Sequence, residues 1–204
     1  MRVPRSSSGK HRRIKFDENE EEEEEEESQN NICRDGNVIY FFSDVTCESV
    51  ISLITHVKKA NLDAIRHSIS PSEARVYLHI HSDGGDAYAG ITAMEHIRCN
   101  PVKVVCIANG FVASSASFLL ISGHERWAFH HSNILIHQLS TMMVGKFEDL
   151  KDDMKNSTNL MSLMKDMYKR KTRIPNKKLK QFFKKDVILS AKESLNMGIV
   201  HKLM

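Results

Sequence analysis

Cysteine is scarce in this sequence. Four residues in 204, Cys33, Cys47, Cys99 and Cys106, form no CxxC pair and no disulfide-framework spacing. A disulfide-stapled scaffold is therefore excluded, and free thiols in a reducing, cytoplasmic setting are expected. Long hydrophobic runs are also missing. No apolar stretch approaches the roughly 20 residues that span a bilayer, and the N-terminus carries charge without the apolar segment of a signal peptide. No membrane association is expected. Aromatic residues make up 7% of the chain and do not interleave with a basic patch, which argues against nucleic-acid binding as the main role.

Charge, by contrast, is plentiful and segregated. Six of the 29 basic residues lie within positions 1–16, and ten of the 26 acidic ones within 17–27, including the unbroken run Glu20 to Glu27. This leaves 23 basic against 16 acidic residues, so the remainder is mildly basic. Residues 1–30 bury too little apolar surface to offset the entropy of ordering, and are expected to form a disordered charged tail. The 41% hydrophobic content suffices for one core, so residues 31–204 are expected to form a single domain.

Hydrophobic periodicity sets the elements. Val38 to Phe42 reads as a strand and Cys47 to Lys58 as an amphipathic helix presenting Val50, Ile51, Ile54 and Val57. Arg75 to His81 reads as a strand broken by Ser82-Asp83-Gly84-Gly85, and Ala87 to Arg98 as a helix. Val102 to Ala108 is a further strand, turning at Asn109-Gly110 toward the small residues around Ser114 and a helical segment, Phe118 to Ile121. After a polar connection, Asn133 to Ile136 is a strand ending on His137. Alternating strands and helices predict an α/β layered fold. Leu139 to Lys146 is a β-prone or irregular link. Phe147 to Lys171 is one long helix whose first-turn acids and last-turn bases complement its dipole. Its wide apolar face suggests burial on more than one side. Ser190 and Glu193 form a capping box, Gly198 closes that helix, and Ile199-Val200 is a last strand.

Acyl transfer by serine needs a nucleophile, a base, a group that orients the base, and donors for the oxyanion. Ser114 at a strand–turn–helix, then His137, then Asp186, supply the first three in chain order. Gly84-Gly85 permits an open turn whose N–H can face a substrate carbonyl, and the Ser115 N–H is its candidate partner. Each residue alone has an ordinary reading. Serines between alanines pack or cap, His137 is one of 11 histidines, Asp186 can cap a turn, and Gly84-Gly85 can be a plain β-turn. No His/carboxylate spacing of a metal site stands out. The ordered set is what favours catalysis.

Four stretches, IHSDGGDAYAGITAMEHIR, VVCIANGFVASSASFLLISG, RWAFHHSNILIHQ and DVILSAKESLNMGIV, occur in an order that resembles the Clp protease proteolytic subunit over about residues 36–204. The resemblance implies the α/β ClpP/crotonase fold of stacked β-β-α units with a protruding handle over about 139–172. It also implies serine endopeptidase activity without metal or cofactor, ATP being used only by a separate AAA+ unfoldase partner. A polypeptide substrate and a homo-oligomer of two stacked heptameric rings belong to the same implication. Carried over position by position, Ser114 is the nucleophile, His137 the general base and Asp186 the orienting carboxylate. Gly85 and Ser115 match the backbone N–H donors of the oxyanion hole.

Several positions depart from the family pattern. Asp83 stands where the family has proline, Ala116 where it usually has glycine, Leu139 where proline follows the His-Gln pair, and STMMVGKF replaces a glycine-rich strand. The charged tail replaces the axial-loop segment. At the rim aromatic that grips the unfoldase stands His79, which implies weakened docking. Two other readings compete: a non-catalytic, ring-forming or regulatory subunit of the same fold, and a crotonase-type acyl-CoA enzyme using an oxyanion pair without this triad.

Overall fold

The computed structural model describes residues 31–204. The expectation for the charged tail, residues 1–30, lies outside the described residues. The chain enters through a hairpin, β1 (Ile32–Asp35) and β2 (Val38–Phe41), paired antiparallel across a turn in which Gly36 takes φ +55°. β2 pairs parallel with β3 (Arg75–Ser82), β3 with β4 (Lys103–Ala113), β4 with β5 (Glu125–Ala128) and β5 with β8 (Lys202–Leu203). At β4 the sheet branches. Its first part pairs with β5, and its last residues, Phe111 to Ala113, pair parallel with β6 (Asn133–Ile136), which pairs antiparallel with β7 (Val187–Ser190).

The helices are α1 (Cys47–Arg66), α2 (Ala87–Arg98), α3 (Ala116–Ser122), α4 (Phe147–Lys171), α5 (Asn176–Phe182) and α6 (Ala191–Asn196). β3 shows how the layers form. Val76, Leu78 and Ile80 are fully buried, while Tyr77 and His79 on the opposite face are only half-buried. Helices α1 and α3 pack on the buried face of the sheet, and α2 packs in turn on α1 and α3. Each large aliphatic side chain so buried stabilises the fold by roughly 1.5–3 kcal/mol. This is the expected α/β architecture of the ClpP/crotonase type. Among the described residues no helix is long and apolar enough to cross a membrane.

Helices α2 and α4 have the expected bounds, and the Ser190–Glu193 capping box is present, with the Glu193 N–H donating to Ser190 Oγ and the Ser190 N–H donating to Glu193 Oε2. Other expectations need correction. Helix α1 runs eight residues past Lys58, because Ala60 and Ala64 continue its buried face in small residues that carry little pattern. Ile51 is 66% exposed, and Leu53 packs in its place. Asn109-Gly110 does not end the strand. Gly110, at φ +91°, lets β4 shift register and pass from one partner to the other. Strand β5 lies inside what reads as a polar connection, and the last strand is Lys202–Leu203, with Ile199 and Val200 buried just before it. On α4 no residue before Leu160 is buried. Leu160, Met164, Met167 and Tyr168 pack on the body, whereas Phe147 and Met154 are exposed.

Candidate active site

Strand β4 ends at Ala113, and the chain must reverse sharply to start α3 at Ala116. Ser114 makes the reversal at φ +54°, a left-handed conformation that costs a non-glycine residue on the order of 1–3 kcal/mol. Three backbone bonds hold it. The Ser114 N–H donates to the Leu135 carbonyl of β6 at 3.1 Å, and the N–H groups of Ser117 and Phe118 donate to the carbonyls of Ser114 and Ser115, each at 3.0 Å. The small residues here are a packing requirement. Ser115 and Ala116 are buried, and a Cβ added at Gly90 of α2 would lie 2.9 Å from Ser115 Cβ. Only a glycine lets α2 approach so closely.

The Ser82–Gly85 loop crosses in front of this turn. Val45 holds it from outside, its N–H donating to the Gly84 carbonyl at 2.7 Å and its carbonyl accepting from the Asp86 N–H at 2.8 Å. Gly84 takes φ +99° and Gly85 φ +145°. Among the described residues, no backbone carbonyl takes up the N–H of Gly85 or of Ser115. Both residues line one cavity of about 440 Å³ with Ser114 and His137. Phe118, Met143, Leu160 and Met164 add apolar wall, and Asp153, Asn156 and Ser157 of α4 add polar atoms.

Strand register explains how distant residues meet here. Ala113 of β4 pairs with Leu135 of β6, so Ser114 ends its strand beside Ile136. Ile136 pairs with Val187 of β7, so one further step sets His137 opposite Asp186. Ser114, Ser115, Gly85 and His137 thus share a cavity, whereas Asp186 is exposed, outside its lining, on the neighbouring strand end. Among the described residues no hydrogen bond joins the side chains of Ser114, His137 and Asp186. None of the described His, Cys, Asp or Glu side chains forms a group of three or more that could hold a metal ion. Sequence reasoning missed Gly90 and the α4 wall. Leu160 and Met164, four apart, were the available signal for the latter.

Known proteins share this framework. The chain is similar to an ATP-dependent Clp protease proteolytic subunit of Deinococcus radiodurans, 31% identical over 137 residues, which is 65% of this chain and 66% of the relative. It is similar to one of Pleurastrum terricola, 31% over 126 residues, 61% of this chain and 64% of the relative. It is also similar to an ATP-dependent Clp protease proteolytic subunit 2 of Treponema denticola, 31% over 130 residues, 63% and 65%. The chain thus spans about two thirds of the length of these curated relatives. The family model for Clp protease matches residues 34–204, from the first strand through the branch of the sheet to the last residue. With the serine turn, the glycine loop and the His137 strand all inside that match, the chain belongs to the Clp protease family.

Proposed function

We propose that this chain is a serine endopeptidase, the proteolytic subunit of an ATP-dependent Clp-type protease, which hydrolyses peptide bonds through an acyl-serine intermediate. The observation that carries the reading is Ser114 at φ +54°, presented at a strand–helix reversal into a cavity that also holds His137 and two uncommitted backbone N–H groups.

In this reading Ser114 Oγ attacks the scissile carbonyl while His137 takes its proton and later delivers it to the leaving amine. Asp186, one register step from His137, orients the imidazole and stabilises its charged form. The Gly85 and Ser115 N–H groups receive the oxyanion, a contribution of about 2.7–4 kcal/mol per donor at the transition state. The bonds among the three side chains form in the substrate complex, as catalytic hydrogen bonds often do in enzymes whose free sites are loose. Phe118, Leu160 and Met164 give an apolar wall for a substrate side chain. Water is the only co-reactant, so no cofactor or metal is assigned, and ATP is used by a separate AAA+ unfoldase. The exposed apolar residues of α4, Phe147, Met154 and Leu163, support contact between copies in stacked rings. A cytoplasmic setting fits the free cysteines.

The test is labelling of the purified protein with a serine-directed peptide phosphonate, mapped by mass spectrometry, beside Ser114→Ala. Labelling at Ser114 that is lost in the variant, with peptide hydrolysis lost and assembly kept, is the expected result. Equal turnover in Ser114→Ala and wild type would refute the assignment. A ring that neither labels nor hydrolyses peptides would make the chain a non-catalytic subunit.

A further inference from the structure

Tyr168 is 1% exposed, near the end of α4, and its hydroxyl meets Ser117 Oγ. Ser117 Oγ in turn is bonded to the carbonyl oxygen of Ser114, which also accepts the Ser117 N–H at 3.0 Å. A carbonyl only accepts, so the one Ser117 hydroxyl proton goes to Ser114. The Tyr168 O–H is then the donor to Ser117 Oγ. The chain of donation runs from the phenol, through the serine hydroxyl, to the nucleophile's own carbonyl.

The Ser114 carbonyl and the Ser115 N–H belong to the same peptide unit. That unit is planar and trans, so its C=O and N–H point in opposite directions and turn together. Pinning the carbonyl from one side therefore aims the N–H on the other side, toward the cavity. The ring of Tyr168 adds a second link. It packs edge-on against Phe118 at 6.1 Å and against Phe183 at 5.8 Å, so it touches both the helix that follows the nucleophile and the segment three residues before Asp186.

We propose that Tyr168 is a positioning residue for the oxyanion hole: through Ser117 it fixes the Ser114–Ser115 peptide and so the direction of the Ser115 N–H. The proposal rests on the serine-peptidase reading above. Burial raises the phenol's pKa, with the bond to Ser117 opposing the rise, so the donor proton stays in place through the neutral and mildly alkaline range. Tyr168 does not line the cavity. Its effect belongs to the rate of forming the tetrahedral intermediate, not to substrate binding, because the oxyanion exists only after attack.

The experiment compares wild type, Tyr168→Phe, Ser117→Ala and the double variant by kcat and KM on a short peptide, by phosphonate labelling rate, and by Tm. Tyr168→Phe keeps both ring contacts, and Ser117→Ala is smaller than the residue it replaces, so both fit the fold. Each single variant is expected to lose kcat and labelling rate by about tenfold or more, with KM within about twofold. Tm should change little in Tyr168→Phe and fall in Ser117→Ala, which leaves the buried phenol O–H without its partner. The double variant should be no slower than the slower single, because the two hydroxyls act in series. Wild-type kcat and labelling in both single variants, a loss confined to KM, a loss in Tyr168→Phe matched by a fall in its Tm, or losses that multiply in the double variant would each overturn the proposal. If wild type itself fails to label at Ser114, the peptidase reading falls and takes this one with it. If wild type labels and the variants label equally fast, only the positioning role falls.

Discussion

Gly84 and Ser114 are in direct contact across the site: a Cβ on Gly84 would lie 2.5 Å from Ser114 Cβ and 2.8 Å from the Ala113 carbonyl oxygen. Gly84 also takes φ +99°, which side chains rarely adopt. The glycine loop and the serine turn therefore approach too closely for any side chain at Gly84. Gly84→Ala should displace the turn and abolish phosphonate labelling at Ser114. It should also destabilise the fold by about 1–3 kcal/mol, from backbone strain together with the clash. Thermal unfolding and labelling rate measure the two effects. Wild-type values for both would show that the loop is free to move away.

Three histidines predict how stability depends on pH. Burial lowers the pKa of His79. For His124, burial comes first and the cations Lys103 and Lys171 add to it; for His201, burial again comes first, then Arg126 and Arg173. Two of these rings are held as neutral acceptors: Val104 N–H donates to His124 Nδ1 at 3.1 Å, and Arg126 Nε donates to His201 Nε2 at 3.0 Å. A histidine whose folded pKa is depressed binds its proton more readily in the unfolded chain. Its stabilising contribution is complete above the unfolded pKa of about 6.5 and is lost as pH falls through the lower, folded value. Tm should hold from pH 8 to about 7 and fall toward pH 5, and His201→Gln should flatten part of that fall. A Tm that rises on acidification would contradict the assignment.

How much of this was legible in the sequence follows from the range of the interactions. Helix α2 was readable at both ends because local signals bound it, with the Asp86 side chain accepting the Ala89 N–H at the start and Cys99 capping the end. The serine turn was readable because small residues and a strand–helix change fall together there. Strand β5 was not, because its inward position holds a charge. Arg126 is 7% exposed, and besides the nearby Ile121 carbonyl it is satisfied by partners far along the chain, the Lys171 carbonyl and His201. The nearness of His137 to Asp186 rests on the pairing of β6 with β7, about 50 residues apart in sequence, so order along the chain suggested it but local pattern could not. On α4 the apolar repeat extends beyond the part that packs on the chain's own body, since Leu160, Met164, Met167 and Tyr168 are buried while Phe147 and Met154 are exposed.

Under the proposed pairing with an AAA+ unfoldase, His79 sets the last expectation, for docking. Its ring stacks on Tyr40 with centroids 5.0 Å apart and lies 6.0 Å from Phe129, on the sheet face opposite the helices. Its Nδ1 is buried without a hydrogen-bond partner among the described residues, and burial pushes its pKa below the usual histidine value. A hydrophobic loop seated on this face would cover the ring further, which penalises the charged form most. Imidazole also presents less apolar area than a phenol, so docking to a typical unfoldase should be weak. Affinity should be greater at pH 8 than at pH 6 and should drop most steeply below about pH 6.5, where the ring gains its proton. His79→Tyr should strengthen docking and remove that dependence. The measurement is the rate of unfoldase-driven degradation of a folded substrate, with short-peptide hydrolysis at each pH as the control for the active site. Tight docking by the unmodified chain at every pH would show that His79 does not limit this surface, and no response to His79→Tyr would place the partner's contact elsewhere.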